Sequence, residues 1–306
     1  MIKVNERLIP KNTLIINIYS LLMEKLGSIC IITLEEKMSR KILLMSDMHI
    51  TEPSVDIIGL DPTIRFRNCL EHASLNHADA SHLFLMGDLT HNGLANEYKI
   101  LKKVLQNQPF PTTLMLGNHD RRDTFLEVFP KLTTRFQHGS INFGNSKILY
   151  LDTLNENAKN KHGGLMCEDR LQWLEANLSL GSGPIILLAH HHMLTSGFDG
   201  MDKINLQNGR QVADIIAASK RCQMVINGHI HRIIVSTYKG VTHTMIKSPC
   251  HQMPMVLGAG TSRLSIAEPG GYGLLLLDEE TPLLHHIDVI PSGSGIHSDS
   301  LSKIEY

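Results

Sequence analysis

The sequence predicts an α/β fold in which strands alternate with helices and a second sheet, or an antiparallel extension, packs on the first. Three observations carry this. Short apolar runs recur along the chain and lack the alternation of a half-exposed strand, so they read as strands buried on both faces. Helical stripes lie between them, and strands alternating with helices make an α/β protein. After residue 232 the helical pattern stops and strand-like runs follow one another.

In chain order, Ile42-Leu43-Leu44-Met45 runs into Asp47-Met48-His49, and Leu83-Phe84-Leu85-Met86 into Gly87-Asp88. Leu94, Tyr98, Leu101 and Leu105 fall on one face of a helix and read as a core stripe. Leu114-Met115-Leu116 precedes Gly117-Asn118-His119-Asp120, and Leu171, Leu174 and Leu178 form a second helical stripe. Ile185-Ile186-Leu187-Leu188-Ala189 precedes His190-His191-His192, and Met224-Val225-Ile226 precedes Asn227-Gly228-His229-Ile230-His231. The later runs are Ile233–Val235, Val241–His243, Gly273–Leu277 and Leu284–Ile287. They predict a second sheet or an antiparallel extension of the first.

Composition narrows the function. Of the 306 residues 42% are hydrophobic and 19% charged, enough to bury a core. Lys+Arg is 29 and Asp+Glu 30, so the chain lacks the basic surplus that binding a nucleic-acid polymer through bulk charge requires. The five cysteines, Cys30, Cys69, Cys167, Cys222 and Cys250, are odd in number, widely spaced and without a CxxC pair. That predicts a reducing, cytoplasmic setting rather than a disulfide framework. The apolar run Leu14–Met23 is broken by Glu24 and Lys25, too soon for a membrane span of about 20 residues. Residues 1–37 are expected to be an extension, with Met38 as the natural start or, alternatively, an extra helix on the core. One domain is expected over 38–291, and residues 292–306 form a Ser/Gly-rich tail expected to be mobile.

The chain contains 18 histidines, and histidine is the commonest metal ligand. All five polar clusters follow their strands, and functional loops in open α/β sheets lie beyond the carboxyl ends of strands. They can therefore converge. Carboxylates, imidazoles and an amide without thiolates suit iron, manganese or zinc. The set is richer than one ion needs and matches two ions sharing a carboxylate. Each piece alone is weak, since Gly-Asp and Asn-His-Asp both occur in ordinary turns. The joint order carries the argument.

That series, Asp47-x-His49, Gly87-Asp88, Gly117-Asn118-His119-Asp120, His191 and Gly228-His229-x-His231, resembles the calcineurin-like metallophosphoesterase superfamily over roughly residues 41–290, which implies an α/β fold of two stacked β-sheets, a β-sandwich flanked by helices. Further features resemble its class III cyclic nucleotide phosphodiesterases and related glycerophosphodiesterases. They are Leu89-Thr90, Gly93 and Glu97-Tyr98, then Leu171-Gln172-Trp173-Leu174-Glu175, then Gly200-Met201-Asp202 with Asn208, and Ser248-Pro249. The resemblance implies that Asp47, His49, Asp88 and His231 hold a first metal. It implies that Asp88, Asn118, His191 and His229 hold a second, with Asp88 bridging. His191 is chosen because the family ligand lies two positions before a proline. Met193 stands at that place here, which leaves His192 open beside it, and the sequence does not settle whether His190 and His192 stand around the ligands.

Two ions, iron and manganese with zinc as a third candidate, would lower the pKa of a water and neutralise phosphate oxygens. His119 resembles the family's general acid, and Asp120 would orient its imidazole. The implied activity is hydrolysis of a small-molecule phosphodiester, with a 3′,5′-cyclic nucleotide (cyclic AMP) first and a glycerophosphodiesterase or broad-specificity phosphodiesterase as the alternative. Protein phosphatases of the superfamily usually carry Arg-Gly after Gly-Asp and Glu after Asn-His, where this chain has Asn92-Gly93 and Asp120. A non-catalytic metal-binding scaffold is the reading from another class. The expected partner is the small substrate, with neither nucleic acid nor membrane, and a homodimer is left open. His72, His77, His82, His138, His162, His243, His251, His285, His286 and His297 show no ligand spacing.

Overall fold

The computed structural model describes residues 40–130, 135–159, 162–258, 264–277 and 281–290. The chain divides after Met38 into two units, and every described residue falls in the second. The expectations for residues 1–37 and 292–306 lie outside the described residues.

Two sheets stack face to face. The first holds β1 (Arg40–Met45), β2 (His82–Met86), β3 (Thr112–Met115), β10 (Gly270–Leu277) and β11 (Leu283–Val289), in the order β11-β10-β1-β2-β3. The second holds β4 (Gly139–Phe143), β5 (Ser146–Leu151), β6 (Ile185–Ala189), β7 (Cys222–Asn227), β8 (Val235–Tyr238) and β9 (Val241–Met245), in the order β4-β5-β6-β7-β9-β8. β1, β2 and β3 run parallel, as do β5, β6, β7 and β9. The four later strands do not form a sheet of their own. β10 joins β1 antiparallel while β9 joins β7, so they complete both sheets.

Alternation in the strands explains the layers. Ile42 and Leu44 of β1 meet Ile186, Leu188 and Ile226 between the sheets. Leu43 and Met45 face the other way, onto α1 (Pro62–Asn76), α2 (Ala95–Leu105) and α3 (Arg122–Val128) through Phe66, Tyr98 and Phe125. On the far side α4 (Glu168–Ser179) and α6 (Gly209–Ala218) cover the second sheet through Leu174 and Ile216. A short α5 spans Asp199–Asp202. Each fully buried Leu or Ile contributes roughly 1.5–3 kcal/mol relative to exposure, so both faces of each sheet are held.

The helix ends follow local rules. The Asp61 carboxylate accepts from Ile64 N at 3.0 Å with Pro62 in the first turn, which starts α1. Glu97, fully buried, accepts from Asn92 N and Leu94 N and so closes the start of α2. Tyr98 and Leu101 of the expected stripe are buried, but Leu94 is the exposed residue before the helix. Leu171, Leu174 and Leu178 are all buried as expected.

β9 carries one buried group outside the site that pH should reveal. His243 is 3% exposed and, among the described residues, neither ring nitrogen has a hydrogen-bond partner. Burial pushes its pKa down from 6.5 to about 4. The unfolded chain therefore takes up a proton that the folded chain refuses, and stability is lost as pH falls from about 6.5 to about 4. His243→Leu is expected to flatten that decline relative to wild type. Urea midpoints at pH 7.5 and pH 5 check it, and parallel declines in the two proteins would count against it.

Candidate metal centre

The loops that leave β1, β2, β3, β6 and β7 meet at one end of the sandwich. They brace each other by main chain: Asp47 N donates to Gly87 O, His49 N to Asp88 O, and Gly228 N to His190 O. Five of the seven residues the sequence proposes as ligands have left-handed backbones: Asp47 (φ 64°), His49 (47°), Asp88 (47°), His229 (70°) and His231 (53°). Each such non-glycine residue costs on the order of 1–3 kcal/mol and persists only where its surroundings fix it. Two glycines allow the loops to close. A Cβ on Gly117 would overlap the Asp88 carboxylate, and one on Gly228 would overlap the Ser46 hydroxyl.

The donor atoms gather around two poles. At the first, His49 Nε2 and His231 Nε2 are 3.1 Å apart, Asp47 Oδ1 is 3.3 Å from His231 Nε2, and Asp88 Oδ2 is 3.7 Å from His49 Nε2. At the second, Asp88 Oδ1 is 3.3 Å from His190 Nε2, which lies 3.1 Å from Asn118 Oδ1. His229 stands beside both His190 and His191, with ring centroids 5.2 and 4.9 Å away. The two oxygens of Asp88 thus address different poles. Asp47 and Asp88 are almost wholly buried, and among the described residues no Lys or Arg pairs with either. Buried carboxylates need paired charge or a metal, and this oxygen and imidazole donor set fits metal ions.

The three adjacent histidines separate by their contacts. His190 Nδ1 donates to Met86 O at 3.0 Å and turns Nε2 to Asp88. His191 Nε2 donates to His162 O at 3.1 Å and its Nδ1 accepts from Thr153 Oγ1 at 2.7 Å, so both nitrogens are engaged by the protein. His192 Nε2 donates to Asp202 at 3.1 Å.

Electrostatics follow these placements. Burial would lower the pKa of His190, but the Asp88 carboxylate beside it pushes it up to about 9. Burial likewise opposes ionisation of His231, and Asp47 raises it. Burial holds His49, His191 and His229 well below the usual imidazole range. Burial, then the nearby Asp88 charge, pushes Asp120 up to about 6.

His119 lies beside this centre. Its N donates to Asp88 Oδ1 at 2.8 Å and its Nδ1 donates to His91 O at 2.7 Å. Asp120 turns away and accepts from Gly117 N, Leu89 N, Thr90 N, Thr90 Oγ1 and the Tyr98 hydroxyl. None of the described contacts joins Asp120 to the His119 ring. Asp120 pins the loops, and the His91 carbonyl holds the imidazole.

The centre opens into a cleft of about 180 Å³ lined by Asp88, Asn118, His119, His229 and His231, and by the apolar groups Met201, Ile204, Met253 and Leu264. A roomier groove of about 520 Å³, beside Lys102, Thr113, Phe129 and Tyr150, has no carboxylate or imidazole in its lining. Chemistry rather than size picks the smaller one. The cleft also takes in His162 and His251, which have no ligand spacing in the sequence. His91 has none either, yet its ring lies 5.2 Å from that of His119. Their signal in the sequence is only their abundance. Other family-like features prove to be braces: Ser248 Oγ donates to Asp47 O at 2.7 Å, and Asn208 exchanges two hydrogen bonds with the Met166 backbone.

Residues 40–232 match the family described as Calcineurin-like phosphoesterase. The chain belongs to this family. With the clustered His and Asp donors, this makes it a metallophosphoesterase. A relative in Rhodopseudomonas palustris named "probable cyclic nucleotide phosphodiesterase" is 31% identical over 83% of this chain and 94% of its own length. One in Arcobacter nitrofigilis named "probable glycerophosphodiester phosphodiesterase" is 26% identical over the same shares. Among solved structures, a dimetal phosphatase from Danio rerio superposes with a TM-score of 0.64 at 12% identity, over 82% of this chain and 96% of its own. That likeness concerns the fold. Among the described residues, no helix is long and apolar enough to cross a membrane.

Proposed function

We propose that this phosphoesterase hydrolyses small-molecule phosphodiesters at a two-metal centre, with a 3′,5′-cyclic nucleotide as the leading substrate. The observation that carries the reading is the split of Asp88, whose Oδ2 faces His49 and whose Oδ1 faces His190. A single ion would not call for a buried carboxylate with donors on both sides. The first metal would be held by Asp47, His49, Asp88 and His231. The second would be held by Asp88, Asn118, His229 and His190. His190 takes the place given to His191 on proline spacing, because His191 has no ring nitrogen left to offer. Bound ions, iron or manganese, would supply a water of lowered pKa and positive charge for the phosphate oxygens. His119, with Nδ1–H held by the His91 carbonyl, would act as the doubly protonated imidazolium, whose Nε2–H gives its proton to the leaving oxygen and leaves a neutral ring. The described cysteines, Cys69, Cys167, Cys222 and Cys250, are unpaired, which supports the cytoplasm as the setting.

Names of relatives divide between cyclic nucleotides and glycerophosphodiesters, so the test compares both. Manganese-loaded protein is expected to hydrolyse cyclic AMP faster than glycerophosphodiesters, and both faster than phosphomonoesters. A strong chelator should stop the reaction, and manganese or iron should restore it. Undiminished turnover after metal stripping, or activity on monoesters alone, would refute the proposal.

A further inference from the structure

The four histidines proposed as ligands differ in what holds the ring nitrogen that points away from the poles. His190 Nδ1 donates to Met86 O at 3.0 Å, His231 Nδ1 to His251 O at 2.9 Å, and His229 Nε2 to Ile204 O at 3.1 Å. A main-chain carbonyl can only accept, so each of these contacts fixes one tautomer and leaves the opposite nitrogen bare for a metal. His49 is different. Its Nδ1 faces the Nδ1 of His91 at 3.4 Å, so its partner is a side chain.

The His91 ring is well placed for this role. Its amide donates to Ile50 O at 3.0 Å, which anchors the backbone beside the β1 loop. Its carbonyl accepts from His119 Nδ1, and its ring stacks on that of His119 at 5.2 Å and 22°. The ring meets His49 edge-on, with centroids 5.4 Å apart. The tautomer of His49 matters because its Nε2 lies 3.1 Å from His231 Nε2 and 3.7 Å from Asp88 Oδ2. A proton on that Nε2 would point to where the first metal is placed and would bar it.

We propose that His91 is a positioning residue for the first metal: its Nδ1 accepts the Nδ1–H of His49 and keeps the Nε2 of His49 bare. The proposal rests on the two-metal reading above. It singles out one ligand whose outer partner can be changed by substitution, because the other three lean on main chain. Losing such an outer partner typically weakens metal affinity by about 10–100-fold.

The test is calorimetric titration of the metal-stripped full chain with Mn²⁺. Wild type is expected to show two sites. His91→Phe keeps an aromatic ring and the backbone carbonyl but offers no acceptor, and it should weaken one site by about 10–100-fold and spare the other. His91→Asn can set its Oδ1 where Nδ1 stood, and it should retain both affinities. If His91→Phe fails to fold, as judged by melting of the metal-free protein, His91→Leu makes the same comparison. Unchanged binding in the acceptor-free variant would overturn the proposal. So would equal weakening by Asn and Phe, or equal weakening of both sites. A wild type that takes up no Mn²⁺ would instead sink the two-metal reading, and this proposal with it.

Discussion

Asp88→Ala is expected to empty both metal positions at once and to lower activity more than about a hundredfold, the upper end of what losing a mere outer partner costs. The carboxylate stands between His49 and His190 and also accepts the His119 amide at 2.8 Å, so removing it takes a donor from each pole and loosens the loop after β3. Substitutions at single poles make the contrast. Asn118→Ala and His190→Ala should deplete the second metal first, and His231→Ala the first. His191→Ala should keep metal content close to wild type, because its nitrogens are bound to Thr153 and His162. Elemental analysis of each purified variant beside its rate decides this. Full metal content and full activity in Asp88→Ala would remove the bridge, and metal loss in His191→Ala with none in His190→Ala would reverse the assignment.

His119→Ala is expected to divide substrates by their leaving groups. A sugar alkoxide is strongly basic and departs slowly without a proton, whereas a nitrophenolate departs readily. General acid catalysis is worth about 10²–10⁴-fold. Most of that loss should appear with cyclic AMP and little of it with bis(p-nitrophenyl) phosphate, at unchanged metal content. The hydrogen bond from His119 to Asp88 comes from its backbone N, which the substitution keeps. Steady-state kinetics on both substrates measure the split. Equal losses with metals intact would point to phosphate binding in place of proton transfer.

Much of this centre was legible in the sequence because its pieces are local. Asp47, His49, Asp88, Asn118, His229 and His231 each follow an apolar run, and a strand end places them without knowledge of the partner strand. The helical stripe containing Tyr98 was also legible as core, but its hydroxyl bond to Asp120 was not, because it joins residues from different elements. The same holds for His190. Three adjacent histidines look alike in sequence, and only Met86, Thr153 and His162, distant along the chain, tell them apart. The hairpin of β4 and β5 could have been read from Gly144-Asn145, a two-residue turn between short segments containing Ile141 and Phe143 on one side and Ile148 and Leu149 on the other, with Gly144 at φ 63°. The division of strands between two sheets follows from pairing, which a single sequence does not display.

The left-handed backbone at Asp47, His49, Asp88, His229 and His231 bears on whether this centre can be moved elsewhere. A designer who grafts the side chains onto an idealised scaffold, with ordinary strand and helix dihedrals, would aim every one of them wrongly. The transplantable unit is the set of loops, with the main-chain bonds that tie Asp47 to Gly87, His49 to Asp88 and Gly228 to His190. Glycines 117 and 228 would have to travel with it, since any larger residue there would push the loops apart. An inventory of ligands omits these parts, and a scaffold lacking them would hold the right residues in the wrong directions.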